Sequence, residues 1–146
     1  MSNTLNVGKI QEGYVIDHIQ AGKSMEIYKY LRLENSEYCV AIIKNARSNA
    51  MGKKDIMKIE CPIDEINIDI LGFIGDNMTV NTIKDGEIID KKTLKLPREI
   101  RKVISCKNPR CITSIEQGLE QVFVLTDEKK KTYRCKYCEE KYDFRN

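Results

Sequence analysis

The sequence has 146 residues, of which 41% are apolar and 32% are charged, and its formal net charge is +3. This length suits one ordinary domain or two small ones, and the apolar fraction is sufficient for a hydrophobic core. No stretch approaches the roughly 18 consecutive apolar residues that a membrane-spanning helix needs. Residues 1–11 lack the basic start and apolar stretch of a secretory signal, so we expect a cytoplasmic protein that does not associate with membranes.

Charge is distributed unevenly along the chain. Residues 1–97 carry 13 basic and 14 acidic side chains, whereas residues 98–146 carry 12 basic and 8 acidic ones. The first part is therefore near neutral, and the second has a net charge of +4. With Pro97 at the change in composition, this asymmetry predicts one domain over 1–97 and another over 98–146. The basic second domain also leaves nucleic-acid binding open as a function.

In the first domain, hydrophobic periodicity predicts an alternation of strands and helices. Apolar residues recur every three to four positions at 24–33 and again from Ile63 to Phe73, which predicts two helices. Asp64 is placed to cap the second helix, and Gly72 and Gly75 are expected to close it. Dense β-branched and aromatic residues predict strands at 15–19, 38–43, 55–60, 79–83 and 88–94.

The order of these elements predicts the fold of the first domain. It reads β-α-β-β-α-β followed by one further strand, and Asp85-Gly86 is a strong signal for the hairpin turn that joins the last two strands. This order is typical of an α+β, ferredoxin-like (split βαβ) sandwich. In the second domain, residues 121–125 and 132–133 are predicted strands, which indicates a small all-β domain.

Four cysteines in two tight pairs predict a metal site. Cys106 and Cys111 form a C-x4-C pair, and Cys135 and Cys138 form a C-x2-C pair 23 residues further on. Four thiolates suit a closed tetrahedral Zn²⁺ site, with each pair on its own tight turn. A rubredoxin-like iron site and a pair of disulfides remain as alternatives.

A zinc ion with four protein ligands has no open position for water or substrate, so we expect it to be structural. The segment from Cys106 to the last residue is close to the size at which a hydrophobic core alone is insufficient. Zinc binding releases on the order of 10–16 kcal/mol in zinc-finger peptides, enough to dominate the stability of such a module. The two other cysteines, Cys39 and Cys61, are expected to be small buried apolar residues.

No catalytic motif is recognisable in the sequence. The chain has one histidine, and none of the common nucleophile, metalloprotease or phosphate-loop patterns occurs. Asp17 and His18 are adjacent, but neighbouring residues of a regular strand face opposite sides and cannot form a dyad. We therefore predict that the protein is not an enzyme.

Several lysines on predicted strands suggest an anion site. Lys54 and Lys58 are four residues apart and share one face of their strand, and Lys91 could join them if its strand is a neighbour. Such a cluster suits a polyphosphate, although a solvated sheet edge would look the same. Asp17 could pair with one of these lysines, or accept a hydrogen bond from a ribose hydroxyl or an exocyclic amine.

Taken in order, residues 15–19, 51–60 and 79–83 and the two cysteine pairs resemble the family of aspartate carbamoyltransferase regulatory chains over nearly the whole length. The resemblance implies a non-catalytic chain with an N-terminal allosteric nucleotide-binding domain and a C-terminal zinc domain that contacts the catalytic chain. It also implies a regulatory-chain homodimer that links two catalytic trimers. In this family CTP and UTP inhibit, ATP activates, and the control falls on pyrimidine biosynthesis.

The resemblance also implies a nucleotide site. Its residues are, on the phosphate side, His18, Lys54 and Lys91; on the ribose and base side, Asp17 and Lys58; around the base, Ile10, Ile83 and Ile88; and, completing the site, Ile56 and Asn81. Family members carry an acid where this chain has Gly8 and an aromatic residue where it has Gly86. Both positions are expected near the pocket, so base selectivity is a matter for experiment.

The competing hypothesis is a nucleic-acid-binding zinc ribbon. It draws on the +4 charge of residues 98–146 and on four aromatic residues there that could stack on bases, namely Tyr133, Tyr137, Tyr142 and Phe144. Steep salt dependence of DNA or RNA binding would favour it.

Overall fold

The computed structural model describes residues 10–75, 77–116 and 118–142. The chain divides into two compact units, Met1–Lys95 and Leu96–Asn146. Among the described residues, no helix combines the length and apolar character required to cross a membrane.

The first unit is built on an antiparallel sheet of five strands in the order β2-β3-β1-β4-β5. The elements are β1 (Gly13–Gln20), helix α1 (Ser24–Tyr30), β2 (Cys39–Ser48), β3 (Gly52–Glu60), β4 (Thr79–Lys84) and β5 (Glu87–Thr93). Both β1 and β2 run antiparallel to β3, which lies between them, and α1 provides the crossover. This is the split βαβ arrangement, so the predicted ferredoxin-like α+β fold is confirmed.

The two faces of this sheet differ in burial. Side chains that alternate along the central strands are fully buried on one face, among them Ile16, Met57, Ile59 and Val80. The ring of Tyr30, at the end of α1, meets Phe73 edge-on with centroids 5.0 Å apart. The residues between these buried positions are half-exposed and belong to the opposite face, which we call the open face.

The first predicted helix is shorter than expected. Helix α1 ends at Tyr30, and Arg32 then adopts a left-handed conformation with φ of 56° before a 3-10 helix at Leu33–Asn35. A positive φ at a non-glycine residue is incompatible with a continuing α-helix. The apolar periodicity over 24–33 therefore spans two elements separated by a break.

The second predicted helix is wrong in type and extent. The only helical segment described between β3 and β4 is a 3-10 helix at Ile68–Phe73. The preceding residues form a loop in which Ile63 N–H donates to Glu12 Oε2 (2.8 Å) and Asp64 N–H donates to the Tyr14 hydroxyl (3.1 Å). Asp64 itself has φ of 77°, so it cannot cap a helix here.

Gly72 does not close a helix, because it lies inside the 3-10 segment. A β-carbon at this position would lie 1.8 Å from the backbone oxygen of Lys95. The role of this glycine is therefore to admit a neighbouring backbone. By contrast, the Asp85-Gly86 turn is confirmed: both residues have positive φ (54° and 78°), and they join β4 to β5 as a tight hairpin.

The second unit contains a sheet of three antiparallel strands in the order β6-β7-β8. The strands are β6 (Glu99–Arg101), β7 (Val122–Asp127) and β8 (Thr132–Cys135), and a short helix α2 covers Ile112–Ile115. The last two strands correspond to predicted ones, whereas β6 and α2 were not predicted. Phe123 is buried and packs edge-on against the ring of Tyr142, with centroids 5.5 Å apart.

Candidate functional site

The four cysteine sulfurs of the second unit converge on one point. All four Sγ atoms lie within 4.8 Å of one another, with 3.5 Å between Cys106 and Cys138 and 3.7 Å between Cys111 and Cys135. A tetrahedron with metal–sulfur bonds of about 2.3 Å has sulfur–sulfur edges of about 3.8 Å. The separations also exceed a disulfide bond of about 2.05 Å, so the disulfide alternative is wrong.

Tight backbone turns hold each pair in place. In the first pair, Cys111 N–H donates to the Asn108 carbonyl (3.0 Å), and the Cys106 amide donates to Gln121 Oε1 (3.1 Å). In the second pair, Glu139 N–H donates to the Cys135 carbonyl (2.8 Å), and Glu139 adopts φ of 64°. Each turn therefore presents two sulfurs to the same point, and the sheet anchors both turns through Cys135 in β8 and Gln121 next to β7.

The electrostatic environment of the four thiols favours a bound cation. Burial raises the pKa of the Cys106 thiol to about 12 and also raises the pKa of Cys135. Burial opposes ionisation of Cys111 too, but its hydrogen bonds with Thr113 outweigh that effect and bring its pKa to about 7. Four thiolates in so small a volume need a bound dication to offset their charge. The cysteines thus form a site that fits one structural zinc ion.

The remaining cysteines differ from each other. Cys61 is buried (4% exposed), as expected of a small apolar residue, and burial raises its pKa to about 11. Cys39 is exposed, so the expectation of burial was wrong for this residue. It begins β2, which is an edge strand of the sheet.

On the open face of the first unit, cross-strand pairing aligns residues of four strands. Val15 of β1 lies opposite Lys58 of β3 on one side and Asn81 of β4 on the other, and Asn81 in turn lies opposite Lys91 of β5. Directly opposed residues of antiparallel strands project to the same face. The same reasoning places five further predicted site residues there: Asp17, Lys54, Ile56, Ile83 and Ile88.

Lys54 and Asp17 form an ion pair across this face. The Lys54 ammonium lies 3.0 Å from Asp17 Oδ1, and the two side chains are 17% and 27% exposed. Of the partners that the sequence left open for Asp17, a lysine is therefore the one found in the structure. Because both groups are partly shielded from solvent, the pair is better defined than an ordinary surface ion pair.

His18 occupies a break in the regular pattern of β1. Between Ile16 and Ile19 the strand contains one residue more than its partner β3, and His18 adopts φ of 58°. The His18 amide donates to Asp17 Oδ1 (2.6 Å), and its ring Nδ1 lies 3.1 Å from Thr79 Oγ1. The expectation that Asp17 and His18 alternate as in a regular strand is thus wrong. The imidazole nevertheless contacts Thr79 and does not form a dyad with the carboxylate.

Lys91 is farther from the other lysines than the sequence suggested. Strands β3 and β5 are not neighbours, since β1 and β4 lie between them. Three strand spacings separate the backbones of Lys58 and Lys91 by about 14 Å. The lysines therefore border a broad face, with Asn81 between them, and do not form one tight cluster.

The expected apolar residues around the base have different exposures. Ile10 is buried (8% exposed) just before β1, whereas Ile88 is 51% exposed on β5. Gly86, one of the two family departures, lies at the adjacent hairpin, where its amide donates to the Gln11 carbonyl (3.0 Å). The other departure, Gly8, lies outside the described residues.

Most of the aromatic residues on which the nucleic-acid hypothesis drew are used in packing. Tyr133 is fully buried and donates to the Pro97 carbonyl (2.6 Å), and burial raises its pKa to about 12. Tyr142 packs on Phe123, and Phe144 lies outside the described residues. Of the described three, Tyr137 alone is substantially exposed, at 44%. Tyr133 and Tyr142 are therefore used in packing, which weakens the case for a surface on which bases could stack.

Sequence reasoning missed four exposed apolar residues that lie near the cysteines along the chain. Ile112, Ile115, Leu119 and Tyr137 are between 37% and 68% exposed. Ile112 follows Cys111 and Tyr137 precedes Cys138, so both flank the metal centre. The three-residue spacing of Ile112 and Ile115 was the available signal, but α2 is too short for periodicity to reveal it.

Comparison with known proteins gives consistent matches along the chain. Residues 5–95 match the allosteric domain of the aspartate carbamoyltransferase regulatory chain, and residues 98–146 match its metal binding domain. Regulatory chains from Clostridium botulinum and Clostridium tetani are 52% and 48% identical over 138 residues, covering 94% of this chain and 94% and 96% of theirs. That of Bifidobacterium longum is 43% identical over 136 residues, covering 93% and 97%.

Proposed function

The chain belongs to the family of aspartate carbamoyltransferase regulatory chains, and on this premise we propose that it is the non-catalytic, nucleotide-sensing subunit of that enzyme. It binds CTP or UTP as inhibitors and ATP as an activator, and it passes their effect to catalytic chains through its zinc domain. It acts in the cytoplasm, where cysteines stay reduced and available for zinc.

The observation that carries this proposal is the grouping of predicted site residues on the open face. Asp17, Lys54 and Lys58 lie on the central strands β1 and β3, with Asn81 and Lys91 beside them on β4 and β5. A face that combines three ammonium groups, one carboxylate and one amide has complementary groups for phosphate, sugar and base. Lysines on a solvated sheet edge would not need to share one face with a carboxylate and an amide.

The family resemblance assigns the roles of these residues, and their chemistry suits those roles. Lys91 and Lys54, with His18, attract the phosphates as charge-assisted hydrogen-bond donors. Asp17 and Lys58 serve the ribose and the base. The exposed Ile88 and the half-exposed Ile83 offer apolar contact to the base, while backbone groups read its edge.

An effector can regulate only by binding one global state better than another. Coupling between allosteric sites typically amounts to about 1–3 kcal/mol, so a moderate difference in nucleotide affinity between the two states is sufficient. The nucleotide domain has no catalytic role of its own in this scheme. Its signal depends on a second domain that stays folded and attached to the catalytic chain.

We assign the catalytic-chain contact to the apolar surface of Ile112, Ile115, Leu119 and Tyr137. Exposed apolar patches on soluble domains commonly mark interaction sites. Because Ile112 and Tyr137 flank two metal ligands, the shape of this surface depends on the zinc ion. The proposal also includes a homodimer of regulatory chains, for which the sheet offers its edge strands.

The test is calorimetric titration of the zinc-loaded chain with CTP and with ATP. Saturable binding of both is expected, and Lys91→Ala should weaken it about tenfold or more, as for loss of a hydrogen bond to a charged group. The matched control is Lys92→Ala, which removes the same charge one residue away. Lys92 projects to the opposite face, where its ammonium lies 2.6 Å from Asp69 Oδ1, so this variant should bind as the parent does.

Two results would contradict the nucleotide site. One is the absence of binding at millimolar nucleotide. The other is an equal loss of affinity in both lysine variants, which would indicate a general charge effect. Sedimentation with catalytic trimers tests the remaining half of the proposal independently, because it requires only the zinc domain.

A further inference from the structure

Both strands that flank β3 are irregular at the same level of the sheet. On β1, Asp17 and His18 together oppose the single residue Ile56, and on β2, Lys44 and Asn45 together oppose Asp55. Such bulges re-aim side chains and leave a backbone amide out of the strand ladder. The β1 bulge contains Asp17 and His18, two residues of the proposed nucleotide site.

Asp55 lies between these two bulges and is completely buried. Its Oδ1 accepts the Asn45 amide (3.0 Å), which is the amide that the β2 bulge removes from the ladder. Its Oδ2 accepts the Ser24 hydroxyl (2.6 Å) and the amides of Gly22 (3.2 Å) and Ser24 (3.4 Å). One carboxylate therefore fixes the β2 bulge and the start of α1.

The same carboxylate has a defined relation to the open face. Asp55 follows Lys54 in β3 and points to the opposite side, so the hydrogen bonds that fix Asp55 also restrain the strand next to Lys54. Lys54 in turn is held by Asp17 through their ion pair at 3.0 Å. The turn that follows β1 is attached to Asp55 through Gly22 and Ser24, which limits movement of the strand that carries His18.

We infer that Asp55 is a positioning residue of the nucleotide site, acting from the buried face through its neighbour Lys54 without touching the ligand. The inference rests on the proposed function, since it concerns that same site. A buried carboxylate that only stabilised the fold would not act through one particular lysine of the open face.

The experiment is a pair of double-mutant cycles with CTP as the probe on the full zinc-loaded chain. Asp55→Asn should raise the CTP dissociation constant about 5- to 30-fold, within the range of coupled neighbouring residues. In a Lys54→Ala background the same change should cost twofold or less, because the group it positions is gone. In a Lys91→Ala background, the full loss should reappear.

A control separates positioning from loss of stability. Leu33→Ala removes a buried side chain from the same unit, away from both bulges, and should leave CTP affinity within twofold while lowering the unfolding temperature. Ser24→Ala removes only the 2.6 Å hydrogen bond to Asp55 and provides a milder variant, with an expected loss of about two- to fivefold. If Asp55→Asn does not fold, Ser24→Ala replaces it in the same measurements.

The outcomes are distinguishable. Unchanged CTP affinity in both Asp55→Asn and Ser24→Ala, or equal losses in the Lys54→Ala and Lys91→Ala backgrounds, would overturn the inference while leaving the nucleotide site intact. Absence of CTP binding to the parent chain would overturn the proposed function itself, and it would be seen before any variant is measured.

Discussion

The Lys54 ammonium and the Asp17 carboxylate lie 3.0 Å apart on the open face, joining β3 to β1. In this arrangement Asp17 already neutralises a charge that a phosphate would use. A phosphate that binds Lys54 must therefore compete with the Asp17 carboxylate. A ligand offsets this cost if its sugar or base forms a hydrogen bond with Asp17. The ion pair thus favours a ligand with a sugar and a base over a bare polyphosphate.

Because of this ion pair, Asp17→Asn should change the affinities for inorganic triphosphate and for CTP by different amounts. Inorganic triphosphate should bind about three- to tenfold more tightly to the variant, because a nearby negative charge that competes for Lys54 is removed. The advantage of CTP over inorganic triphosphate should shrink, because a charged acceptor for ribose or base is lost. Calorimetric titration with both probes measures the ratio of their dissociation constants. If Asp17→Asn leaves this ratio unchanged, the assigned role of Asp17 is contradicted.

Gly72 provides a prediction about stability. A β-carbon there would meet the Lys95 backbone oxygen at 1.8 Å, so Gly72→Ala should lower the free energy of unfolding of the first unit by more than about 2 kcal/mol. Gly75→Ala is the matched control, since the nearest heavy atom to its added carbon is 4.0 Å away at the end of Met78. Urea unfolding followed by amide NMR signals of the first unit compares them, and equal losses would argue against the close approach.

The features predictable from the sequence are those with local chemical causes. The hairpin at Asp85-Gly86 follows from two residues that tolerate positive φ, and the metal centre follows from the spacing of Cys106, Cys111, Cys135 and Cys138. Alternation along β3 also identified the shared face of Lys54 and Lys58. In each case the information lies within a few residues of the feature itself.

The features that escaped prediction depend on contacts between distant parts of the chain. The loop at Ile63 is held by Glu12, 51 residues earlier, so the apolar spacing that suggested a helix was outweighed by a long-range hydrogen bond. The backbone amide of Asn45, in the β2 bulge, donates a hydrogen bond to the Asp55 carboxylate. No periodicity in the sequence could reveal this contact. The position of Lys91, three strand positions from β3, is likewise a matter of strand order.

Asp55 also predicts how stability depends on pH. Burial alone would raise its pKa, but the hydrogen bonds from Ser24, Asn45 and Gly22 prevail and hold the pKa of Asp55 below its usual value. Its contribution is therefore complete above the unfolded-state pKa of about 3.9 and is lost as pH falls through the lower folded-state value. Asp55→Asn should be about 1–3 kcal/mol less stable than the parent at neutral pH.

In acid, the difference between the parent and Asp55→Asn should shrink, because the unfolded parent binds a proton at Asp55 more readily than the folded parent does. Urea unfolding at pH 7 and near pH 3, followed through amide signals of residues 10–75, provides the comparison within the first unit alone. A difference that stays constant between the two pH values would contradict the role given to the charged carboxylate.

Zinc removal should affect the two units differently. A strong chelator or a mercurial should unfold the second unit, because its cysteine turns would lose the ion that offsets their charge. The amide signals of β1 and β3 should persist, since neither strand contributes a metal ligand. In a mixture with catalytic trimers, zinc removal should separate the two kinds of chain in sedimentation. A mixed assembly that survives complete removal of the metal would contradict the proposed link.

Ile115 tests the docking surface without disturbing the metal. Its side chain is 68% exposed on α2, so Ile115→Asp should leave zinc content and the unfolding temperature unchanged. Affinity for catalytic trimers should fall about tenfold or more if the residue lies in the central part of an interface. Ile89→Asp is the matched control, because this isoleucine is 57% exposed in the first unit. Equal binding of trimers by both variants would exclude the α2 surface as the contact, whereas a loss confined to Ile115→Asp would place the catalytic chain against the metal centre.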